Sequence, residues 1–418
     1  MRSALTPKAD TGYEINLDIS KWPFAKHADD LFGGIGVDGW PIEGTSMVSK
    51  ERQQTSMFNA NKFKLGLFAL NCSSGLAITT VPERWDASWE NNVKAARIAE
   101  DAGLEFLLPI ARWRGFEGGE VTAQESAFET ISWAIGLLAS TNKISVFGTV
   151  HVPMVHPVFA AKQIVLADHV GSGRFGLNVV SGWNKTEFGM FGVELREHDR
   201  RYDYTAEWVD IVTRIWSADK PFDYEGEFFC LEGVTGFPKP LFGDRPLLLS
   251  AGSSPTGSEF AARYADCLFM IVVDESTLAD EIAVLRTKAN TFGKEVGVYS
   301  SGHIVCRPTQ NEAEEYYEYY AVERADHKSV DSLMKGRLAG KALSAREANE
   351  NRRRLASGFS TFPVVGDPDL VAGKLMELNQ AGLDGMAFGL VNYIDELPFI
   401  AAEVLPRMER LGLRQASA

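Results

Sequence analysis

Ile144-Ser-Val-Phe-Gly-Thr-Val150, Phe159-Ala-Ala-Lys-Gln-Ile-Val-Leu-Ala-Asp-His169 and Arg174-Phe-Gly-Leu-Asn-Val-Val180 follow one another along the chain. The first and third are short apolar runs with β-branched residues, the pattern of buried strands. The second carries apolar residues at helical spacing. Strand, helix and strand in that order make the unit that joins two parallel strands. The alternation extends both ways. Further strands are expected at Lys64–Leu70, Glu105–Ile110, Pro246–Ser250, Cys267–Val273, Val298–Cys306 and Gly385–Leu390. Helices are expected at Ser88–Ala102, Gln124–Ala139, Arg201–Trp216, Gly257–Tyr264, Leu278–Phe292, Glu312–Tyr320, Asp367–Ala381 and Leu397–Leu411. Eight strands, beginning near positions 64, 105, 144, 174, 246, 267, 298 and 385, predict an α/β protein with a (β/α)8 TIM barrel. A doubly wound sheet with fewer strands is the alternative.

Residues 1–62 lack periodicity and are expected to form an N-terminal arm before a single barrel domain, 63–418. Within the arm, Gly34-Ile35-Gly36-Val37-Asp38-Gly39 matches G-x-G-x-x-G. No apolar strand precedes it and Trp40-Pro41 follows, so it is taken as a glycine-rich loop and not a dinucleotide fingerprint. Two insertions are expected: a small hairpin at about 218–244, and a polar helical stretch at about 321–362 that suits a lid or an interface.

Composition narrows the function. The chain has 418 residues, 45% of them apolar, with a formal net charge of −14. Nucleic acid and anionic membrane both call for basic patches, so neither is an expected partner. No stretch of eighteen apolar residues occurs, and the first ten residues hold no signal-peptide core. Cys72, Cys230, Cys267 and Cys306 fit no zinc or redox spacing, which suggests a reduced, cytoplasmic protein. No metal-ligand motif, nucleophile elbow or acid–base dyad is visible, which points to a cofactor carrying the hard chemistry.

A barrel of this kind places function at the C-terminal ends of its strands. That rule selects Asn71, the run Ala111-Arg112-Trp113-Arg114-Gly115-Phe116, Thr149 and His151, Asn178, the run Ser181–Glu187, Ala251–Ser254, and Asn392 with Tyr393. Two features together suit a phosphate. Ala251-Gly-Ser-Ser-Pro-Thr-Gly257 joins a strand to a helix with small residues that expose backbone N–H groups. Arg201 and Tyr202 open another helix with a guanidinium fork and a hydroxyl. Alone, the first is an ordinary helix cap and the second a solvated face. His198, at a helix start, is the histidine best placed to meet a ligand. Trp113, Phe116 and Trp183 offer flat walls for a planar ligand, though aromatics line many barrel mouths.

Ser172-Gly-Arg-Phe-Gly-Leu-Asn-Val-Val-Ser-Gly-Trp-Asn-Lys-Thr-Glu-Phe188 resembles the fourth-strand signature of the bacterial luciferase-like flavin monooxygenases. Arg112 with Arg114-Gly-Phe116, Thr149, His198-Asp-Arg-Arg-Tyr202 and Ala251–Ser254 recur in the family's order, over about residues 64–412. The nearest group holds pyrimidine, dimethyl-sulfone and dibenzothiophene-sulfone monooxygenases. The resemblance implies FMN, used as FMNH2 and supplied by a separate NAD(P)H:flavin reductase, with O2 as co-substrate. It implies FMN contacts at Ala111, Arg112, Asn178, Glu187, Arg201, Tyr202 and Ser254, the last three holding phosphate. Thr149 and Asn178 match an oxygen pocket that forms a flavin N5-peroxide. Asn71, Ile110, Trp113, Trp183 and Phe269 are expected to face a small-molecule substrate. Ile110, Trp113 and the region of Asn392 depart from the pyrimidine enzymes. The expected reaction cleaves a C–N, C–S or C–halogen bond in a homo-oligomer, dimer or tetramer. A deazaflavin (F420)-dependent hydride-transfer enzyme and a non-catalytic flavin-binding barrel are the alternatives.

Overall fold

A computed structural model describes residues 48–116, 119–243, 245–252, 254–337 and 344–416. The Gly34–Gly39 motif and the first 47 residues of the expected arm lie outside the described residues.

The strands in chain order are β1 Lys64–Phe68, β2 Phe106–Leu108, β3 Ser145–His151, β4 Phe175–Val180, β5 Phe222–Glu225, β6 Cys230–Val234, β7 Leu247–Ala251, β8 Cys267–Met270, β9 Gly297–Cys306, β10 Phe362–Gly366 and β11 Gly385–Gly389. The helices are α1 Trp89–Asp101, α2 Thr130–Ser140, α3 Pro157–Val170, α4 Lys185–Met190, α5 His198–Ser217, α6 Pro255–Tyr264, α7 Glu275–Thr291, α8 Gln310–Glu318, α9 His327–Arg337, α10 Ala345–Gly358, α11 Pro368–Gln380, α12 Tyr393–Glu403 and α13 Leu405–Arg410. Strands β1, β2, β3, β4, β7, β8, β9 and β11 pair in parallel, and β11 returns to β1 to close the (β/α)8 barrel. All eight expected strands are present. The open-sheet alternative falls because β8 pairs with β9, leaving no break in the ring.

Burial on both faces explains why these strands are nearly continuous apolar runs. Outward side chains pack under the helices, while Met57, Phe106, Phe147, Leu249, Phe269 and Tyr299 fill the interior. Phe147 lies so close to Gly176 of the neighbouring strand that a Cβ there would sit 2.3 Å from its ring. A larger residue at Gly176 would therefore overpack the interior.

Residues 48–62 seal the N-terminal end of the barrel. Arg52 is buried and donates to Asp168 Oδ1 at 2.9 Å and to the Gly173 carbonyl at 2.9 Å. Ser56 Oγ donates to the Glu105 carbonyl at 2.6 Å. Strands β5 and β6 form an antiparallel hairpin between α5 and β7. Helices α9 and α10 lie between β9 and β10, and β10 adds in parallel to the C-terminal half of β9. No helix among the described residues is long and apolar enough to cross a membrane.

Candidate active site

Polar side chains that the fold leaves partly unsatisfied gather at the C-terminal end of the barrel. Thr149 of β3 and Asn178 of β4 are register partners, both buried. Asn178 Nδ2 donates to Thr149 Oγ1 at 3.2 Å, and the Thr149 hydroxyl donates to the Pro109 carbonyl at 2.9 Å. The threonine proton is therefore committed. Asn178 keeps a second Nδ2 proton, and its Oδ1 is buried without a protein partner.

Arg112, just past β2, points across the bowl. Its Nε donates to Gln124 Oε1 at 3.0 Å and its NH1 to Glu187 Oε1 at 3.1 Å. Glu187 Oε1 also accepts from the Trp113 amide at 2.9 Å, while its Oε2 is buried and unpartnered. The Arg112 guanidinium lies 4.7 Å from the Phe116 ring, 5.7 Å from Trp183 and 6.0 Å from Phe359. A charge balanced by carboxylate and framed by ring faces is held in one orientation.

A third cluster joins the β4–α4 loop to the starts of α5 and α6. Arg201 NH1 donates to the Gly182 carbonyl, and Arg201 Nε is buried without a partner. The Tyr202 hydroxyl rests against Gly252 and Gly257, where added Cβ atoms would lie 2.7 and 2.6 Å away. Ser254 Oγ accepts from the Gly257 amide at 3.0 Å, capping α6 and leaving its own proton to donate. Pairwise contacts link the three clusters. Arg112 and Thr149 line the same cavity, Arg112 bonds Glu187 of α4, the loop before α4 offers the Gly182 carbonyl to Arg201, and Tyr202 reaches the β7–α6 turn.

Other expected residues have different surroundings. Asn71 is wholly buried and its amide is spent on backbone. It donates to the Ile110 and Phe128 carbonyls at 2.8 and 3.2 Å and accepts from the Ile110 amide at 3.0 Å. It thus ties the β1 and β2 loops together. Phe269 lies in the barrel interior, stacked on Tyr299 at 5.8 Å. Ile110 is half-buried against the small apolar cluster of Ala69, Cys72 and Leu76. Trp113 and Trp183 are exposed at the rim, Trp113 edge-on to Phe191 at 4.8 Å. Ala111 lines the cavity beside Thr149. His198 is exposed and pairs with Asp199, which accepts from Thr256 at 2.7 Å and links α5 to α6. Asn392 caps α12.

Gln124 and Phe359 join the site without having been selected from the sequence, and His151, selected at its strand end, joins it without having been given a role. Gln124, expected to open a helix that starts only at Thr130, and Phe359 adopt left-handed backbones outside regular elements, where periodicity gives no signal of a contact. His151 did carry one, because it follows Thr149 at strand spacing.

The family model "Luciferase-like monooxygenase" matches residues 63–385. The FMNH2-dependent dimethylsulfone monooxygenase of Pseudomonas fluorescens is 28% identical over 362 residues, 85% of this chain and 97% of that protein. The pyrimidine monooxygenase RutA of Acinetobacter baylyi is 28% identical over 356 residues, 82% of this chain and 94% of that protein. Among solved structures, a riboflavin lyase with modified FMN and riboflavin superposes with a TM-score of 0.75. That match has 24% identity and covers 85% of this chain and 93% of the other, a likeness of fold.

Proposed function

The chain belongs to the luciferase-like monooxygenase family, and we propose that it is a two-component oxygenase using reduced FMN and O2. A separate NAD(P)H:flavin reductase supplies the FMNH2. The reaction opens a C–N, C–S or C–halogen bond in a small heteroaromatic, sulfone or halogenated substrate. One observation carries this reading: buried, unpartnered polar atoms occur at Asn178, Glu187 and Arg201 at the C-terminal end of the barrel, where Tyr202 rests on a glycine cradle. Buried polar atoms in a folded protein are normally paired, so such a set marks a place built for a polar ligand.

The residues fit the flavin group by group. Arg201, Tyr202 and Ser254 offer N–H and O–H donors beside a helix start, which suits the phosphate. Glu187 Oε2 and Asn178 Oδ1 are acceptors, which suits ring N–H groups. Ala111 and Arg112 border the ring's place. FMN, when bound reduced, supplies the electrons for oxygen activation. Asn178 keeps a second Nδ2 proton, a fixed donor that would stabilise developing negative charge beside the bound flavin. Thr149 holds that amide in place. Arg112, bonded to Gln124 and Glu187, holds the Glu187 carboxylate in place.

The described parts of the 321–362 insertion, 321–337 and 344–362, serve as the lid. Phe359 packs on Phe116 at 5.3 Å, Arg354 donates to the Val272 carbonyl at 2.9 Å, and the Val121 amide donates to Asp326 at 3.1 Å. It thus touches the loops after β2 and β8, where it keeps water from the reacting atoms.

Anaerobic titration tests the reading. The protein is expected to purify nearly colourless and to bind FMNH2 more tightly than FMN or reduced F420. A tightly held yellow flavin reduced directly by NADH overturns the two-component scheme. Preference for F420 moves the chain to hydride transfer.

A further inference from the structure

His151 ends β3 two residues beyond Thr149, so its side chain leaves the same face of the strand one step nearer the mouth. It is 7% exposed, and its Nδ1 is buried without a protein partner. Leaving a buried polar atom unmet costs about 1–3 kcal/mol, a cost that a core histidine avoids by finding a partner. His151 also lines a cavity of about 30 Å³ with Ala111, Arg112, Trp113 and Thr149. It therefore looks into the site.

The charges around it select the ligand. Arg112 is already balanced by Glu187, and Glu187 keeps a buried, unpartnered oxygen. Burial pushes the His151 imidazole down to about 4, with Glu187 opposing and Arg112 assisting. The ring is thus neutral at physiological pH, with one nitrogen donating and the other accepting. An anionic head placed here would find no free cation to pair with, because Arg112 is taken up by Glu187 and His151 is neutral.

We propose that His151 is a specificity-determining residue whose imidazole hydrogen-bonds the polar head of an uncharged substrate, such as a sulfonyl oxygen or a ring amide. The inference rests on the oxygenase reading of the site and adds to it a contact residue and a charge class.

The test uses the full chain with 15N-labelled histidine, loaded with oxidised FMN and followed by NMR. The His151 ring signals are those lost in His151→Gln. Two matched probe pairs are added: dimethyl sulfone against methanesulfonate, and uracil against orotate. At least one uncharged probe is expected to move the His151 signals while its anionic counterpart does not. The affinity of that probe is expected to fall at least tenfold in His151→Phe, with FMN affinity unchanged within twofold. A purely structural histidine would lower the melting temperature and leave the probe response intact. Signals unmoved by both uncharged probes, or moved equally by an anionic one, overturn the proposal. FMN binding is measured in the same samples. Its failure sinks the cofactor reading separately, and the same additions to the flavin-free protein then decide on His151. Should His151→Phe fail to fold, the affinity comparison passes to His151→Gln, whose shorter reach is expected to weaken the same probe.

Discussion

At the N-terminal end of the barrel Glu105, wholly buried, accepts from Asn59 at 2.9 Å, the Leu65 amide at 2.8 Å and Arg414 at 2.9 Å. At the other end Glu187, just as buried, leaves Oε2 unmet. Arg52 and Arg201 repeat the contrast. Arg52 meets Asp168 and two backbone carbonyls, whereas Arg201 has an unpartnered Nε. A closed barrel needs its floor for stability, so polar groups there are completed within the chain. Its mouth holds what the ligand completes. Stability and function are thus written into opposite ends of the same strands.

Four substitutions press on that division, from the largest effect down. Glu105→Ala strands the Arg414 charge in the floor and is expected to cost about 3–5 kcal/mol, as breaking a buried pair does. Denaturant unfolding measures it, and flavin affinity per folded molecule should not change. A selective loss of flavin binding would show that the floor is not merely structural. Asn178→Ala is expected to lower product per FMNH2 consumed by roughly a hundred-fold, the usual cost of removing one donor from a developing charge. Thr149→Ala should fall short of that, because the Thr149 proton serves Pro109 and acts only through Asn178. Equal losses in both would mean that Thr149 faces the oxygen directly. Arg201→Ala should weaken FMNH2 binding by about 1.5–3 kcal/mol with little change in melting temperature. The reverse pattern would place Arg201 among the floor-type residues.

The two ends also differed in legibility. The eight strands could be read because burial on both faces turns each into an apolar run with turn residues around it. Asn178, Glu187, Arg201 and Tyr202 stood at strand ends or helix starts, where a barrel concentrates function, and in motifs with a recognisable order. The floor could not be read. Arg52 lies 116 residues from Asp168, and the run from Val48 to Lys62 shows no period, since its side chains answer to partners elsewhere in the chain. Strand β10, Phe362–Gly366, follows the polar helical stretch and was not read as a strand. Asn71 looked like a ligand contact because strand-end position alone does not reveal that two backbone carbonyls use up its amide.

The smallest expected effect concerns acid. His303, like His151, lies toward the C-terminal end of its strand. Burial, with Arg354 nearby, pushes its imidazole down to about 3. Its Nε2 is buried and unpartnered, and Tyr317 stacks on it at 6.1 Å. Unfolded histidine titrates near 6.5, so below that pH the unfolded chain binds a proton that the native one refuses. Stability from this group is therefore whole above about pH 6.5 and declines as pH falls toward 3. His151 acts in the same direction down to about 4. Asp210 opposes both. Burial raises its carboxyl to about 6, so its neutral form favours the native state in acid. The total slope is thus a balance, and the difference between variants isolates one group. In His303→Asn the dependence of unfolding free energy on pH between 4.5 and 6 should flatten by up to about 1.4 kcal/mol per pH unit, the equivalent of one proton. Urea titrations at several pH values measure it. An unchanged slope, even with a lower absolute stability, would mean that His303 is protonated in the native mouth and already has a partner there.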